Sequence, residues 1–270
     1  MKFNYDLLIM ELVYYTVGFN PKYIDMLYLS IVSLRKYNTQ DILIICDEAL
    51  VETCIEKVKN IKRVTVVACK DSINAMDSSM KKLLIFDYDI SKYKKILFVD
   101  SDILVDVWLH TVLPNVVDDG IIYAFPETRN FMFHLEKYHS LMDYTVETFK
   151  FLVDNKIYPF NCGLFAFLNT PKMKEHFQNI RDMIDNYQGS NYHYEQSFMN
   201  VYFNTRKLAN TLVFTEKNCI MNIDIEKVKP KYSWLNADAH YRNKFFHFCY
   251  QRDPDKKIKE MLLWINMFKI

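Results

Sequence analysis

Short apolar runs rich in β-branched and aromatic residues alternate along this chain with longer stretches whose apolar positions recur every three or four residues. The run MELVYYTV at 10–17 predicts a first strand. After it, Ile24, Leu27, Tyr28, Ile31 and Leu34 form an apolar stripe at helical spacing, with Pro21 at the expected first turn. DILIIC at 41–46 is apolar throughout, as a strand covered on both faces should be. A charged helix over 48–60, a strand over 63–68 and a helix near 77–88 follow. KKILFV then predicts a buried strand that ends at Asp100 and Asp102. Further strands are expected at 120–127, 161–169 and 243–250, with helices at 194–203 and 255–268. Phe131, Leu135, Tyr138, Met142, Phe149 and Leu152 place one or two helices between strands, an insertion over about 128–157. Repeated βα units predict an α/β fold with a mostly parallel central sheet flanked by helices.

Composition narrows the functional classes. Half of the 270 residues are hydrophobic, enough for one large core. Lys plus Arg number 34 against 33 Asp plus Glu, and no basic run occurs, so nucleic acid is not an expected partner. The cysteines at 46, 54, 69, 162, 219 and 249 form no CxxC pair, which predicts reduced thiols and a cytoplasmic protein. Asp6 and Glu11 interrupt the apolar N-terminal stretch, so neither a signal peptide nor a membrane span is expected.

The chemistry begins at Asp100-Ser101-Asp102. Ligands of open α/β sheets bind beyond the carboxyl ends of the strands. Residues i and i+2 of an extended chain face one side, so both carboxylates can converge on Mn²⁺ or Mg²⁺. A turn with two solvated carboxylates is the plain alternative. Taken by itself, His247, between Phe246 and Phe248, reads as a core histidine.

The order of motifs resembles the glycogenin-like glycosyltransferases, the family 8 retaining enzymes of the GT-A fold. The resemblance runs through SLRKY at 33–37, KLLIFDYDISKYKKILFVDSDILV at 82–105, FNCGLFAFLNT at 160–170, YEQSFMNVYF at 194–203 and FFHFCY at 245–250. It implies one GT-A (Rossmann-like) domain over 1–270, with a nucleotide-binding half (1–105) and an acceptor or closing half (106–270). It further implies a UDP-sugar donor, with Mn²⁺ held by Asp100, Asp102 and His247. Tyr15, Thr16, Val17, Tyr23 and Ser101 would lie by the nucleoside, and Lys82 (or Lys81) by the diphosphate or sugar. Asn161, Gln196 and Glu195 would face the reacting hexose, where the family usually has Asp in place of Glu195. The family's Gly and Lys after the closing His-Phe are Tyr250 and Asp253 here, so Arg252 or Lys256 is expected to complete the diphosphate clamp.

The resemblance thus implies transfer of glucose, or next galactose, to an acceptor hydroxyl of a protein tyrosine or a growing glycan, and is compatible with a homodimer. Two other readings stand beside it. A haloacid-dehalogenase-like phosphatase also places DxD after an apolar strand, though near its N-terminus and followed by Thr or Val where Leu104 stands. A UDP-sugar-binding module without turnover would explain the altered clamp.

Overall fold

The computed structural model describes residues 10–127, 146–187, 195–220, 243–249 and 252–268. The first half alternates as expected: β1 (Glu11–Val17), α1 (Lys22–Arg35), β2 (Asp41–Asp47), α2 (Val51–Val58) and β3 (Val64–Cys69). The helix expected near 77–88 is shorter than its apolar spacing suggested. α3 (Ala75–Met80), capped by the Asn74 side chain, gives way to 3₁₀ turns over Lys81–Asp87. β4 (Lys95–Val99) and β5 (Ile103–Val105) flank the two aspartates, and β6 (Ile122–Pro126) follows.

Of the helical stretch expected between strands, the described part is α4 (Val146–Asp154), and the rest lies outside the described residues. β7 (Phe160–Leu168) comes next. α5 (Pro171–Asp185), an unexpected helix, is capped by the Thr170 hydroxyl, which accepts from Met173 N. α6 (Glu195–Thr205), β8 (Ala209–Asn210), β9 (Cys219–Ile220), β10 (Phe245–His247) and α7 (Pro254–Phe268) complete the order.

Seven strands form the central sheet in the order β3-β2-β1-β4-β7-β6-β8. It is mostly parallel, but β7 runs antiparallel to β4 and β6. That reversal has a consequence for the site: the start of β7 lies at the edge where the parallel strands end. The late strand does not join this sheet. β10 pairs instead with β5 and β9 in a separate three-stranded sheet, setting His247 opposite Ile103.

Strand alternation divides the core between the two sheet faces. Val13, Tyr15 and Val17 pack with Ile24, Leu27, Ile31 and Leu34 of α1, while Leu12 and Tyr14 pack with the α5 and α6 side. A third cluster joins Leu104, Phe246 and Phe248 to Met26, Met261 and Trp264, docking α7 behind β5 and β10. The SLR stretch ties these layers together. Ser33 Oγ accepts from Val105 N at 2.8 Å, and Arg35 donates to the carbonyls of Lys62 and Arg63. None of the six cysteines is in a disulfide. No helix among the described residues is long and apolar enough to cross a membrane.

Candidate active site

A cleft of about 690 Å³ opens at the carboxyl ends of β1 and β4 and the start of β7. Asp100 and Asp102 lie on its floor. Contrary to the extended pair expected from the sequence, they lie in the turn between β4 and β5, where Ile103 N donates to Asp100 O at 3.1 Å. The turn still brings the carboxylates together, and the antiparallel β5–β10 pairing delivers His247 beside them. Ligand atoms of Asp100, Asp102 and His247 all lie within 4.8 Å of one another. His247 Nε2 is 3.2 Å from Asp102 Oδ1 and 4.0 Å from Asp100 Oδ2.

Gly163 makes room for this cluster. A Cβ there would stand 2.5 Å from His247 Cε1 and 2.7 Å from Asp100 Oδ2. Two carboxylates and an imidazole around a space that even a methyl group would fill suit a hard divalent cation such as Mn²⁺ or Mg²⁺.

Burial pushes the Asp100 carboxyl above its ordinary pKa, and Asp102 adds to this, while Lys82 and His247 oppose it. Asp102 goes the other way. Burial is outweighed by Lys257 and His247, which hold it well below the usual carboxylate range. Burial disfavours charge on His247, but Cys249 and Asp102 beside it raise its pKa well above the ordinary value.

Lys82 is the cation of the inner wall. The Tyr14 hydroxyl donates to the Lys82 carbonyl at 3.0 Å and fixes the 3₁₀ turn. The Lys82 ammonium reaches Glu195 at 2.6 Å, the Cys162 carbonyl at 3.0 Å and Asp100 at 3.4 Å, over the Phe98 ring. Lys81 faces elsewhere, onto Asp47 and the Lys70 carbonyl, so Lys82 and not Lys81 lines the cleft.

Glu195 and Gln196 open α6. Asn200, one turn on, grips Phe160 of β7 through both its N–H and its carbonyl, at 2.7 and 2.8 Å. Gln196 Oε1 accepts from Cys162 N at 3.1 Å, and its amide donates to Glu127 at 3.2 Å. Asn161 also donates to Glu127, at 3.3 Å. Glu195 Oε2 is buried with no hydrogen-bond partner among the described residues.

Thr16, Val17, Tyr23, Lys82, Asp100, Ser101, Asp102, Asn161, Glu195, Gln196 and His247 thus line one cleft. Four other residues fare differently. Tyr15 is fully buried against α1, its hydroxyl accepting from Ser30 at 3.2 Å, because alternation along β1 turns it into the core. Arg252 and Lys256 are exposed and do not line the cleft, while Tyr250 lies outside the described residues.

Two charged residues join the expected ones in the lining. Glu127 follows directly on β6 and could have been suspected as an acid at a strand end. Lys257 donates to Asp102 at 2.5 Å, and its spacing from Met261 and Trp264 puts it on the apolar face of α7, an unusual place for a lysine.

The fold is that of the GT-A glycosyltransferases. Among solved structures, the galactosyltransferase LgtC, in complex with donor and acceptor sugar analogs, superposes with a TM-score of 0.59 at 15% identity, over 93% of this chain and 95% of that one. A glycosyltransferase involved in glycosylation of the major capsid of PBCV-1 gives 0.55 at 11% identity, over 94% and 98%. GlyE of Streptococcus pneumoniae TIGR4 gives 0.57 at 14% identity, over 94% of this chain and 63% of that one. No family model and no curated protein matches the sequence.

Proposed function

We propose that this chain is a retaining glycosyltransferase that moves a hexose from a UDP-sugar to an acceptor hydroxyl. The observation that carries this reading is the meeting of Asp100, Asp102 and His247 with the Lys82–Glu195 pair in one cleft of a glycosyltransferase fold. Breaking the anomeric C–O bond leaves negative charge on the departing UDP. Mn²⁺ or Mg²⁺ held by Asp100, Asp102 and His247 would supply positive charge to that leaving group. Lys82 adds a fixed ammonium beside it, already oriented by three acceptors, so little reorganisation is needed as charge develops.

Thr16, Val17, Ser101 and Tyr23 border the nucleoside, with the Tyr23 ring as the aromatic face. Asn161, Gln196 and Glu127 form a linked polar wall suited to sugar hydroxyls. Glu195 presents a carboxylate oxygen with no protein partner among the described residues, fit to stabilise an oxocarbenium-like centre. Retention then follows either from attack by Glu195 or from a same-face approach of the acceptor, whose proton goes to the leaving phosphate. We favour the second, because Glu195 is already paired with Lys82. Glucose is the first donor expected and galactose the next. The acceptor is a protein tyrosine or a growing glycan, and a homodimer is part of the same proposal.

A binding module without turnover is the second reading, favoured by Tyr250 and Asp253 at the spacings where a Gly and a Lys would complete the clamp. The phosphatase reading lacks a matching fold and is not retained. One assay separates the first two: UDP release from a panel of UDP-sugars with Mn²⁺, with and without chelator, followed by intact mass. Chelator-sensitive release from one sugar supports the transferase, and hexose-sized mass gains would make the chain its own acceptor. UDP that raises the melting temperature while no donor is turned over supports the module.

A further inference from the structure

Asp102 carries two cationic partners at once. Lys257 occupies Oδ2 at 2.5 Å, and the His247 ring stands against Oδ1. Lys257 comes from a helix 155 residues away in sequence. Its backbone is anchored by Met261 and Trp264, one and two turns on, which pack against Leu104, Phe246 and Phe248. These neighbours flank both the aspartate turn and His247, so the helix is fixed relative to the site while a flexible four-carbon stem carries the charge.

The two lysines of the cleft differ in how they are held. Lys82 has three acceptors, two of which are not metal-ligand candidates. Among the described residues, the Lys257 ammonium has one hydrogen-bonding partner, Asp102. A divalent cation centred between Asp100, Asp102 and His247 would lie within a few ångströms of that ammonium. The resulting like-charge repulsion in a partly desolvated cleft favours the lysine's departure. The same cleft contains its next natural partner, the anionic diphosphate of a nucleotide.

We propose that Lys257 is an exchangeable counter-ion, which neutralises Asp102 while the three ligands hold no metal, yields that carboxylate to a divalent cation, and then pairs with the diphosphate. It takes the place left open by Tyr250 and Asp253, and it reaches the site from α7 rather than from the loop. The exchange at Asp102 rests on the site alone. Pairing with diphosphate rests on the UDP-sugar reading.

The test is calorimetric titration of the full chain and of Lys257→Met with Mn²⁺ alone, then with UDP or uridine at saturating Mn²⁺. Loss of the competing ammonium should tighten Mn²⁺ binding by about fivefold or more. The same substitution should weaken UDP binding about tenfold or more and leave uridine binding unchanged. Lys257→Arg, which keeps the charge, should restore most of the UDP affinity, and Lys257→Gln, which removes the charge but keeps a polar head, serves as the probe if the Met variant does not fold. Mn²⁺ binding that is weakened or unchanged in Lys257→Met overturns the exchange. UDP affinity unchanged in Lys257→Met overturns the diphosphate pairing. A wild-type chain that binds Mn²⁺ but no UDP refutes the transferase reading, and the metal titration still decides the exchange.

Discussion

Asp47 and Asp100 each set a carboxylate beside a lysine at the carboxyl edge of the same sheet, and they behave as opposites. Asp47, at the end of β2, accepts from Phe19 N at 2.7 Å, from Ser72 N at 3.0 Å and from the Ser72 hydroxyl at 3.1 Å, and pairs with Lys81. It ties together three segments of the cleft wall, and its side chain is 4% exposed. Asp100 is 32% exposed at the side chain and meets Lys82 at 3.4 Å and His247 at 4.0 Å. A buried carboxylate whose lone pairs are met by N–H and O–H groups is architecture. One that shares distant cations around an open space is poised for a ligand.

The largest expected effect is on the ligand-facing side. Asp102→Asn should lower Mn²⁺-dependent UDP release about a hundred- to a thousandfold while circular dichroism stays native. Retained activity would sink the metal assignment. Next comes Gly163→Ala, whose methyl must displace His247 or Asp100. It should cost roughly ten- to a hundredfold in turnover and weaken Mn²⁺ binding, with the melting temperature little changed.

On the architectural side, Asp47→Ala leaves Lys81 buried without its carboxylate and frees Phe19 and Ser72 from their acceptor. It should cost about 3 kcal/mol in urea denaturation, with turnover in the folded fraction reduced less than by either change above. A reversal, with Asp47→Ala lethal to activity and Asp102→Asn to stability, would dissolve the contrast.

The smallest effect is a pH dependence of the metal-free chain. The folded pKa of His247 is raised, so its contribution to stability is complete below its unfolded value, near 6.5, and is lost as pH rises through the folded one. The melting temperature of the metal-free wild type should therefore decline relative to His247→Gln as pH rises above about 6.5. Parallel curves for the two proteins would show that His247 does not carry that charge.

The sequence makes the first half legible because periodicity there is strong. Continuous apolar strands and a dense stripe on α1 predict β1 to β4 within a residue or two. α5 is harder: its buried stripe of Met173, His176, Phe177 and Ile180 is sparse, and the telling signal is Thr170-Pro171 at its start. The reversal of β7 leaves no trace in a strand buried on both faces. A strand-end aromatic such as Tyr15 can point either way until register is known. Lys257 leaves no mark in motif spacing along the loop, because the cation arrives across space from a helix face.

That arrival has a consequence for synthesis on the ribosome. Asp102 emerges early, inside a sheet whose parallel strands are already nearly complete, yet its partners His247 and Lys257 follow some 150 residues later. The nascent chain can therefore fold a scaffold long before it has a functioning centre. Capture of α7 by the Phe246–Phe248 layer should be among the last events, and the rate at which activity appears should report that docking rather than the folding of the sheet.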